Sequence, residues 1–356
     1  GRRRRRRWPW AGRRRGRSKQ EALLAVHDLH VQLAVRAAGS RPWNKAAALK
    51  AVNGVSFTLQ AGETLGIVGE SGCGKSTLAR AIVGLAKVHS GSVLWQGQDL
   101  TALSGKALRL QRRDIQMIFQ DPLASLNPRM TVGDIIAEPL RTFHPELKKA
   151  DIMRQVQEIM QKVGLLPNQL NRYPHEFSGG QCQRIGIARA LVLKPKLLIC
   201  DEPVSALDVS IQAQVVNLLK QLQREMGLAM IFIAHDLSVV KHIAERVLVM
   251  YLGRAVELGS KQAVYGGPAH PYTRALISAV PIPDPEAQRH KVIQLLPGDL
   301  PSPLKPPAGC VFRTRCPEAE AACAEQVPPL AGTAEHTAAC WKHTPGLAPH
   351  HLYANK

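Results

Sequence analysis

Three groups of residues in this 356-residue chain combine side-chain type and spacing in ways that could do chemistry. Gly69-Glu70-Ser71-Gly72-Cys73-Gly74-Lys75-Ser76-Thr77 completes the pattern G-x-x-x-x-G-K-S/T. Glycines so placed let backbone N–H groups turn inward around a phosphate, Lys75 sets a positive charge against the β/γ oxygens, and Ser76 offers a hydroxyl to Mg²⁺. Leu197-Leu198-Ile199-Cys200-Asp201-Glu202 is an apolar run emptying into two adjacent carboxylates. Downstream of a phosphate loop, Asp201 is suited to hold Mg²⁺ directly or through water, and Glu202 to act as general base on an attacking water. Alone, the same six residues describe only a strand ending in a solvated turn. Ser178-Gly179-Gly180-Gln181 opens a helical pattern running to Leu191, with Ser178 a good N-cap and bare glycines that expose helix N–H groups to an anion. By itself this is equally a plain capped helix without a ligand.

These groups need elements to position them. Residues 21–68 alternate short apolar runs (Leu23–Leu29, Val52–Leu59, Thr64–Val68) with turns such as Ala61-Gly62, which predicts an N-terminal β-subdomain delivering a strand into the loop. Lys75 to Leu85 reads as the helix that follows, the strand–loop–helix context a nucleotide site requires. From Pro122 the pattern turns helical, with Ile152, Val156, Ile159, Met160 and Val163 three and four apart, so that about 122–180 is a helical insertion between two parts of an α/β core. Ile211, Val215, Leu218, Leu219, Leu222 and Met226 form one helical face after Asp208, and Gly227 sits where a glycine would end that helix. Ala229–Ala234 reads as a buried strand ending at His235. Strands alternating with helices imply a parallel sheet that binds ligands at the C-terminal ends of its strands. Beyond Gly266 the chain is proline-rich, and 266–356 is marked off as a separate extension poor in long helices.

Composition narrows the class. At 45% hydrophobic but only 4% aromatic residues, the cores must be aliphatic. Lys and Arg number 47 against 27 Asp and Glu, yet residues 1–20 alone hold ten Arg, one Lys and no acid, leaving 36 against 27 in the body. That excess suits ATP or anionic lipid and does not single out nucleic acid. The tail, 1–20, is expected to be disordered: it is either a nucleic-acid or membrane arm or a leader without a partner, and it lacks the apolar stretch of a secretory signal. No window approaches the ~20 apolar residues of a membrane span, so a soluble or peripheral protein is expected. Seven cysteines in such a chain argue against a disulfide framework, and Cys73, Cys182 and Cys200 read as small packing residues.

The order of motifs resembles the ATP-binding cassette family of transporter ATPases over residues 21 to about 265. The resemblance implies a P-loop α/β fold with an antiparallel β-subdomain and a helical insertion, and ATP hydrolysis with Mg²⁺. It assigns Gly69, Ser71, Gly72, Gly74, Lys75, Ser76 and Thr77 to the phosphates, and Ser76, Gln120 and Asp201 to Mg²⁺. It makes Gln120 in Ile118-Phe119-Gln120-Asp121 the glutamine that also senses a permease, and Asp208 in Ser205-Ala206-Leu207-Asp208 the loop aspartate beside the nucleotide. His235 becomes the γ-phosphate histidine beside the base Glu202, and Ser178, Gly179, Gly180 and Gln181 the signature that caps ATP held by a partner ATPase. Phe177 stands where the family usually has Leu, and Trp43 lies near the family's adenine-stacking aromatic, where it could equally be a packing residue.

Within that family, Asp114 to Met130, Asn171 to Phe177 and His270-Pro271-Tyr272-Thr273 resemble the oligopeptide/dipeptide importer ATPases, most of all the second ATPase subunit of bacterial oligopeptide permeases. This implies a peripheral subunit on the cytoplasmic face of the inner membrane, working with a related ATPase, two permease subunits and a periplasmic peptide-binding protein. An importer of nickel or a glycan, or a nucleic-acid-acting cassette ATPase, is the alternative. The spacing of Cys310, Cys316, Cys323 and Cys340 (C-x₅-C-x₆-C-x₁₆-C) matches neither ferredoxin runs nor paired C-x-x-C zinc sites. Some peptide-importer ATPases carry a 4Fe–4S cluster on the corresponding cysteines, and this segment resembles that module; Zn²⁺ or unmetallated thiols are the alternatives.

Overall fold

A computed structural model describes residues 22–35, 47–281, 286 and 289–344. The Arg-rich segment 1–20 and Trp43 lie outside the described residues.

Strands β1 (Leu24–Val35) and β2 (Ala47–Leu59) pair antiparallel from Leu24↔Leu59 to Val35↔Ala47, with Leu24, Val26, Leu29 and Val31 turned into a core. Then β3 (Thr64–Val68), buried throughout, runs into the phosphate loop and α1 (Lys75–Ile82). The helix expected to reach Leu85 stops at Ile82, because Gly84 turns left-handed (φ 69°) and Leu85 N–H closes back on the Arg80 carbonyl at 2.7 Å. Strands β4 (Ser90–Trp95) and β5 (Gln98–Asp99) complete a four-stranded sheet in the order β2-β1-β4-β5. The antiparallel subdomain is therefore not purely N-terminal: half its strands come after the phosphate loop, and β3 leaves it for a second sheet.

After α2 (Gly105–Gln111) and β6 (Ile115–Ile118) come the helices of the insertion, α3 (Val132–Phe143), α4 (Lys149–Lys162) and α5 (Gly179–Leu191). On α4, Ile152, Val156, Ile159 and Met160 face inward, as their spacing predicts. The core resumes with β7 (Leu197–Asp201), α6 (Val209–Met226), β8 (Ala229–Ala234), α7 (Leu237–Ile243), β9 (Arg246–Tyr251) and β10 (Arg254–Ser260). Gly227 ends α6 at φ 63°, a conformation that side chains with a Cβ adopt at a cost. Strands β6, β7, β8, β3 and β9 are parallel neighbours in that order. Covered on both faces, β3, β7 and β8 read as near-continuous apolar runs rather than alternations. Leu197, Ile199, Ile231 and Ile233 pack toward the antiparallel sheet, whereas Leu198, Cys200, Met230 and Phe232 pack toward the helices.

Helices α8 (Lys261–Gly266), α9 (Pro271–Ala279) and α10 (Ala322–Glu325) and strands β11 (Ala331–Gly332) and β12 (His336–Ala338) close the described chain. The residues beyond 266 are not a detached extension, since β12 pairs with β10 and β11 with β12, lengthening the central sheet to eight strands. The join is polar and dry. Glu257 on β10 is 0% exposed, and its carboxylate accepts from Ala269 N–H (2.8 Å), His270 N–H (2.9 Å) and the His336 ring (2.7 Å). It thus satisfies donors at the start of α9 and ties β12 to the sheet. Removing it leaves three donors without their acceptor, so Glu257→Ala should cost about 3–5 kcal/mol, and Glu257→Gln less. Denaturant unfolding of the purified chain measures this; an unchanged midpoint for Glu257→Ala would show that the carboxylate does not hold the segment.

Candidate functional site

The phosphate loop is fixed by backbone approaches that only glycine permits. Gly74 has φ 104°, and a Cβ there would lie 2.1 Å from the Ala51 carbonyl oxygen of β2; at Gly69 it would lie 2.2 Å from the Met250 carbonyl oxygen of β9. Gly253 N–H donates to the Cys73 carbonyl at 2.8 Å, and Asn53 N–H to the Gly253 carbonyl at 2.8 Å, so both sheets clamp the loop. Lys75 is only 3% exposed; its ammonium donates to the carbonyls of Gly69 (2.7 Å) and Glu70 (3.1 Å) and stands 3.8 Å from Glu202 Oε1. A buried ammonium so held is a fixed positive charge for phosphate oxygens.

Asp201 and Glu202 arrive at the end of β7 as their sequence implies. Ser76 Oγ donates to Asp201 Oδ1 at 2.7 Å, whereas Oδ2 of this 1% exposed carboxylate is buried without a hydrogen-bond partner. Burial lifts the Asp201 carboxyl above the ordinary carboxylate range. An unsatisfied carboxylate oxygen beside a serine hydroxyl fits a hard divalent cation, so Ser76 and Asp201 are the residues that could hold Mg²⁺. Glu202 has φ 46°, a left-handed conformation for a residue with a side chain, pinned by its N–H to the Ile233 carbonyl at 3.1 Å. Its Oε2 accepts from Gln120 Nε2 at 2.9 Å. Ser71, Gly72, Gly74, Lys75, Ser76, Thr77, Gln120 and Glu202 line one cavity of about 290 Å³.

Other sequence-derived site residues lie apart from this cavity. Ser178 caps α5 by accepting from Gln181 N–H (3.4 Å), and Gln181 Oε1 accepts from Ser178 N–H (3.0 Å). Ser178, Gly179, Asp208 and His235 are exposed, and none of them, nor Gly180 or Gln181, is among the cavity's lining residues. Two features escaped the sequence reading. Val209, beside Asp208, is 82% exposed; its position just outside the apolar face of α6 was a legible signal. Glu70 is contacted from the far end of the chain, by Tyr272 and Arg315, and no local pattern announces a contact 245 residues away.

The four C-terminal cysteines are half-buried and line one small pocket with His270, Phe312, Glu318 and His343. Burial pushes the Cys310 thiol up to about 11 and raises Cys316 and Cys340, with backbone N–H groups of Phe312, Glu318, Lys342 and His343 pulling the other way. All four are free thiols. Among the described residues, however, no group of three or more His, Cys, Asp or Glu could hold a metal ion. The sulfurs share a pocket wall without forming a ligand set, so the structure does not support the expected 4Fe–4S site. Cys73, Cys182 and Cys200 are buried packing residues, as expected, with thiols raised by burial. Among the described residues no helix is long and apolar enough to cross a membrane.

Comparison with known proteins agrees with this geometry. A family described as "ABC transporter" matches residues 52–205, and one described as "Oligopeptide/dipeptide transporter, C-terminal region" matches 256–323. The chain is similar to the oligopeptide transport ATP-binding protein OppF of Salmonella typhimurium, with 64% identity over 92% of this chain and 98% of the relative. It is also similar to the oligopeptide transport ATP-binding protein AppF of Bacillus subtilis, with 52% identity over 91% and 98%. Among solved structures, the chain is similar to cbiO1 of Clostridium perfringens, part of the ABC transporter complex cbiONQ, at 28% identity and TM-score 0.59 over 69% of this chain and 91% of that one. A dimeric ATP-binding cassette in a post-hydrolysis state bound to ADP and Pi aligns at 26% identity and TM-score 0.59, over 67% and 98%.

The loop geometry carries its own test. A methyl group at Gly74 collides with β2 backbone and strains φ, so Gly74→Ala should weaken ATP binding by roughly tenfold or more, because the loop must move to relieve a strain of order 1–3 kcal/mol. Titration with a fluorescent ATP analogue measures it, and wild-type affinity would show that the loop's position does not depend on the clamp.

Proposed function

Because the chain belongs to the ATP-binding cassette family of oligopeptide transport ATP-binding proteins, we propose that it is the peripheral subunit whose ATP hydrolysis powers import of oligopeptides or dipeptides across a bacterial inner membrane, from its cytoplasmic face. The observation that carries the reading is the single cavity that gathers Lys75, Ser76, Gln120 and Glu202 over the phosphate loop.

In this reading the loop's N–H groups and Lys75 bind the β- and γ-phosphates, while Ser76 Oγ and Asp201, with Gln120, supply oxygen ligands for a cation. Mg²⁺ when bound supplies neutralisation of the phosphate charge. Glu202, oriented by Gln120 at 2.9 Å, takes the proton of a water as its oxygen attacks the γ-phosphorus; the bond to the β–γ bridging oxygen breaks, and ADP and phosphate leave. His235, at the end of β8, orients the γ-phosphate, and Asp208 borders the nucleotide of a paired cassette. Trp43, outside the described residues, remains the proposed adenine partner.

Ser178, Gly179, Gly180 and Gln181 serve a second ATPase chain: exposed or half-buried at the start of α5 and absent from this chain's own cavity, they are available to cap ATP held by a partner. Binding would close the pair and hydrolysis release it, a charge change with a mechanical readout. The insertion's helices α3 and α4, between Gln120 and Ser178, would pass that motion to two permease subunits fed by a periplasmic peptide-binding protein. A 4Fe–4S cluster on the four thiols that line the C-terminal pocket is proposed on the strength of the sequence resemblance, and it requires the sulfurs to draw together into a ligand set that they do not form here.

Glu202→Gln should retain ATP binding yet slow hydrolysis at least about 100-fold, the scale of a lost general base. Near-normal turnover in the assembled complex would remove Glu202 from that role. Deletion of the gene should abolish uptake of labelled oligopeptides while nickel and oligosaccharide uptake persist; the reverse pattern would reassign the cargo. Anaerobic protein should contain iron and acid-labile sulfide, and zinc alone or no metal would overturn the cluster.

A further inference from the structure

The phosphate loop has a back wall built from the other end of the chain. Glu70, the residue after the first loop glycine, receives two contacts from beyond residue 266. Its N–H donates to the hydroxyl of Tyr272 on α9 at 2.9 Å, and its carboxylate is forked by Arg315 Nη1 at 2.8 and 3.1 Å. Neither partner is a loose surface side chain. Tyr272 is fully buried and stacks edge-on with Tyr251 of β9 (4.8 Å) and against Phe312 (5.4 Å), while Tyr251 meets Phe312 at 5.3 Å. Arg315 is 9% exposed, three residues along from Phe312, and its own N–H closes a turn on the Phe312 carbonyl at 3.0 Å. The aromatic cluster therefore fixes where the guanidinium stands.

Electrostatics gives the contact a purpose. The carboxylate of Glu70 stands outside the lining of the phosphate cavity, turned to Arg315, yet it belongs to the residue next to Gly69, whose carbonyl anchors Lys75. Unpaired, that carboxylate would add a negative charge beside the phosphate loop and would be free to compete for the Lys75 ammonium. We propose that Arg315, assisted by Tyr272, is a positioning residue for ATP binding: it holds the Glu70 carboxylate away from the phosphate site, neutralises its charge and fixes the first turn of the loop. The inference rests on the reading of Gly69–Thr77 as the ATP loop, and it makes the C-terminal segment part of the nucleotide site without touching the reacting atoms.

The test is equilibrium ATP binding and steady-state hydrolysis by the assembled transporter. Arg315→Ala should raise the Kd and KM for ATP by roughly tenfold, what one lost charge-assisted pair produces, while kcat changes less than KM. The KM gap should narrow as salt is raised, because the repulsion is screened. Glu70→Gln in the Arg315→Ala background should restore most of the affinity, and Arg315→Lys part of it, since an ammonium replaces the charge but not the planar guanidinium that the cluster positions. A purely structural role would instead lower the melting temperature and leave the double variant as impaired as the single one. If Arg315→Ala does not fold, Arg315→Gln with and without Glu70→Gln makes the same comparison. Unchanged KM in Arg315→Ala, or no recovery in the double variant, overturns the proposal; failure of the wild-type complex to bind ATP would instead overturn the reading of the loop.

Discussion

A cation with almost no solvent has to be held by something, and Lys75 imposes that demand on everything around it. Its ammonium is satisfied by the Gly69 and Glu70 carbonyls and by the nearby Glu202 carboxylate. For those carbonyls to point inward the loop must turn through left-handed glycines, which β2 and β9 leave no room to replace. For Glu202 to reach the ammonium, β7 must end level with β3, and β8 between them sets that register, from Leu65↔Ile231 on one side to Ile199↔Ile231 on the other. The strain at Glu202, of order 1–3 kcal/mol, is tolerated because its N–H is pinned to the Ile233 carbonyl of β8.

What was legible in the sequence was local. The loop, the strand ending in two acids, the capped start of α5 and the αL glycine after α6 each occupy fewer than twenty consecutive residues, and each lies where its pattern places it. Strand partnership was not legible. Nothing in Ser90–Asp99 states that β4 pairs with β1 rather than with β3, or that β5 adds to β4, because alternation specifies a half-buried strand and not its neighbour. The same holds for β12 on β10: proline content correctly forecast the scarcity of long helices after 266 but concealed that a three-residue strand there closes the central sheet. The cysteines show a third kind of limit. Spacing and resemblance bring four thiols to one pocket, yet ligand geometry depends on distances that spacing does not encode.

The buried polar contacts explain why the two ends of the chain act as one body. Glu257 is costly to bury and is retained with three donors around it, one of them on β12 and two at the entrance to α9. His270 is equally dry; burial lowers it to about 4, so its neutral ring accepts from Tyr272 N–H at 3.1 Å and fixes the first turn of α9. That turn sets Tyr272 under Glu70, and the ring of Tyr272 in turn seats Phe312, from which Arg315 follows. The sequence of contacts runs from the far edge of the sheet to the phosphate loop through side chains that are buried until it reaches Glu70. A cassette cut after β10 would keep the loop's residues but lose the acceptor of Glu70 N–H and the counter-charge of its carboxylate. The extension is thus a structural wall of the nucleotide site, and its contribution is positional: it decides where the first loop glycine begins its turn, and through the Gly69 carbonyl where Lys75 points.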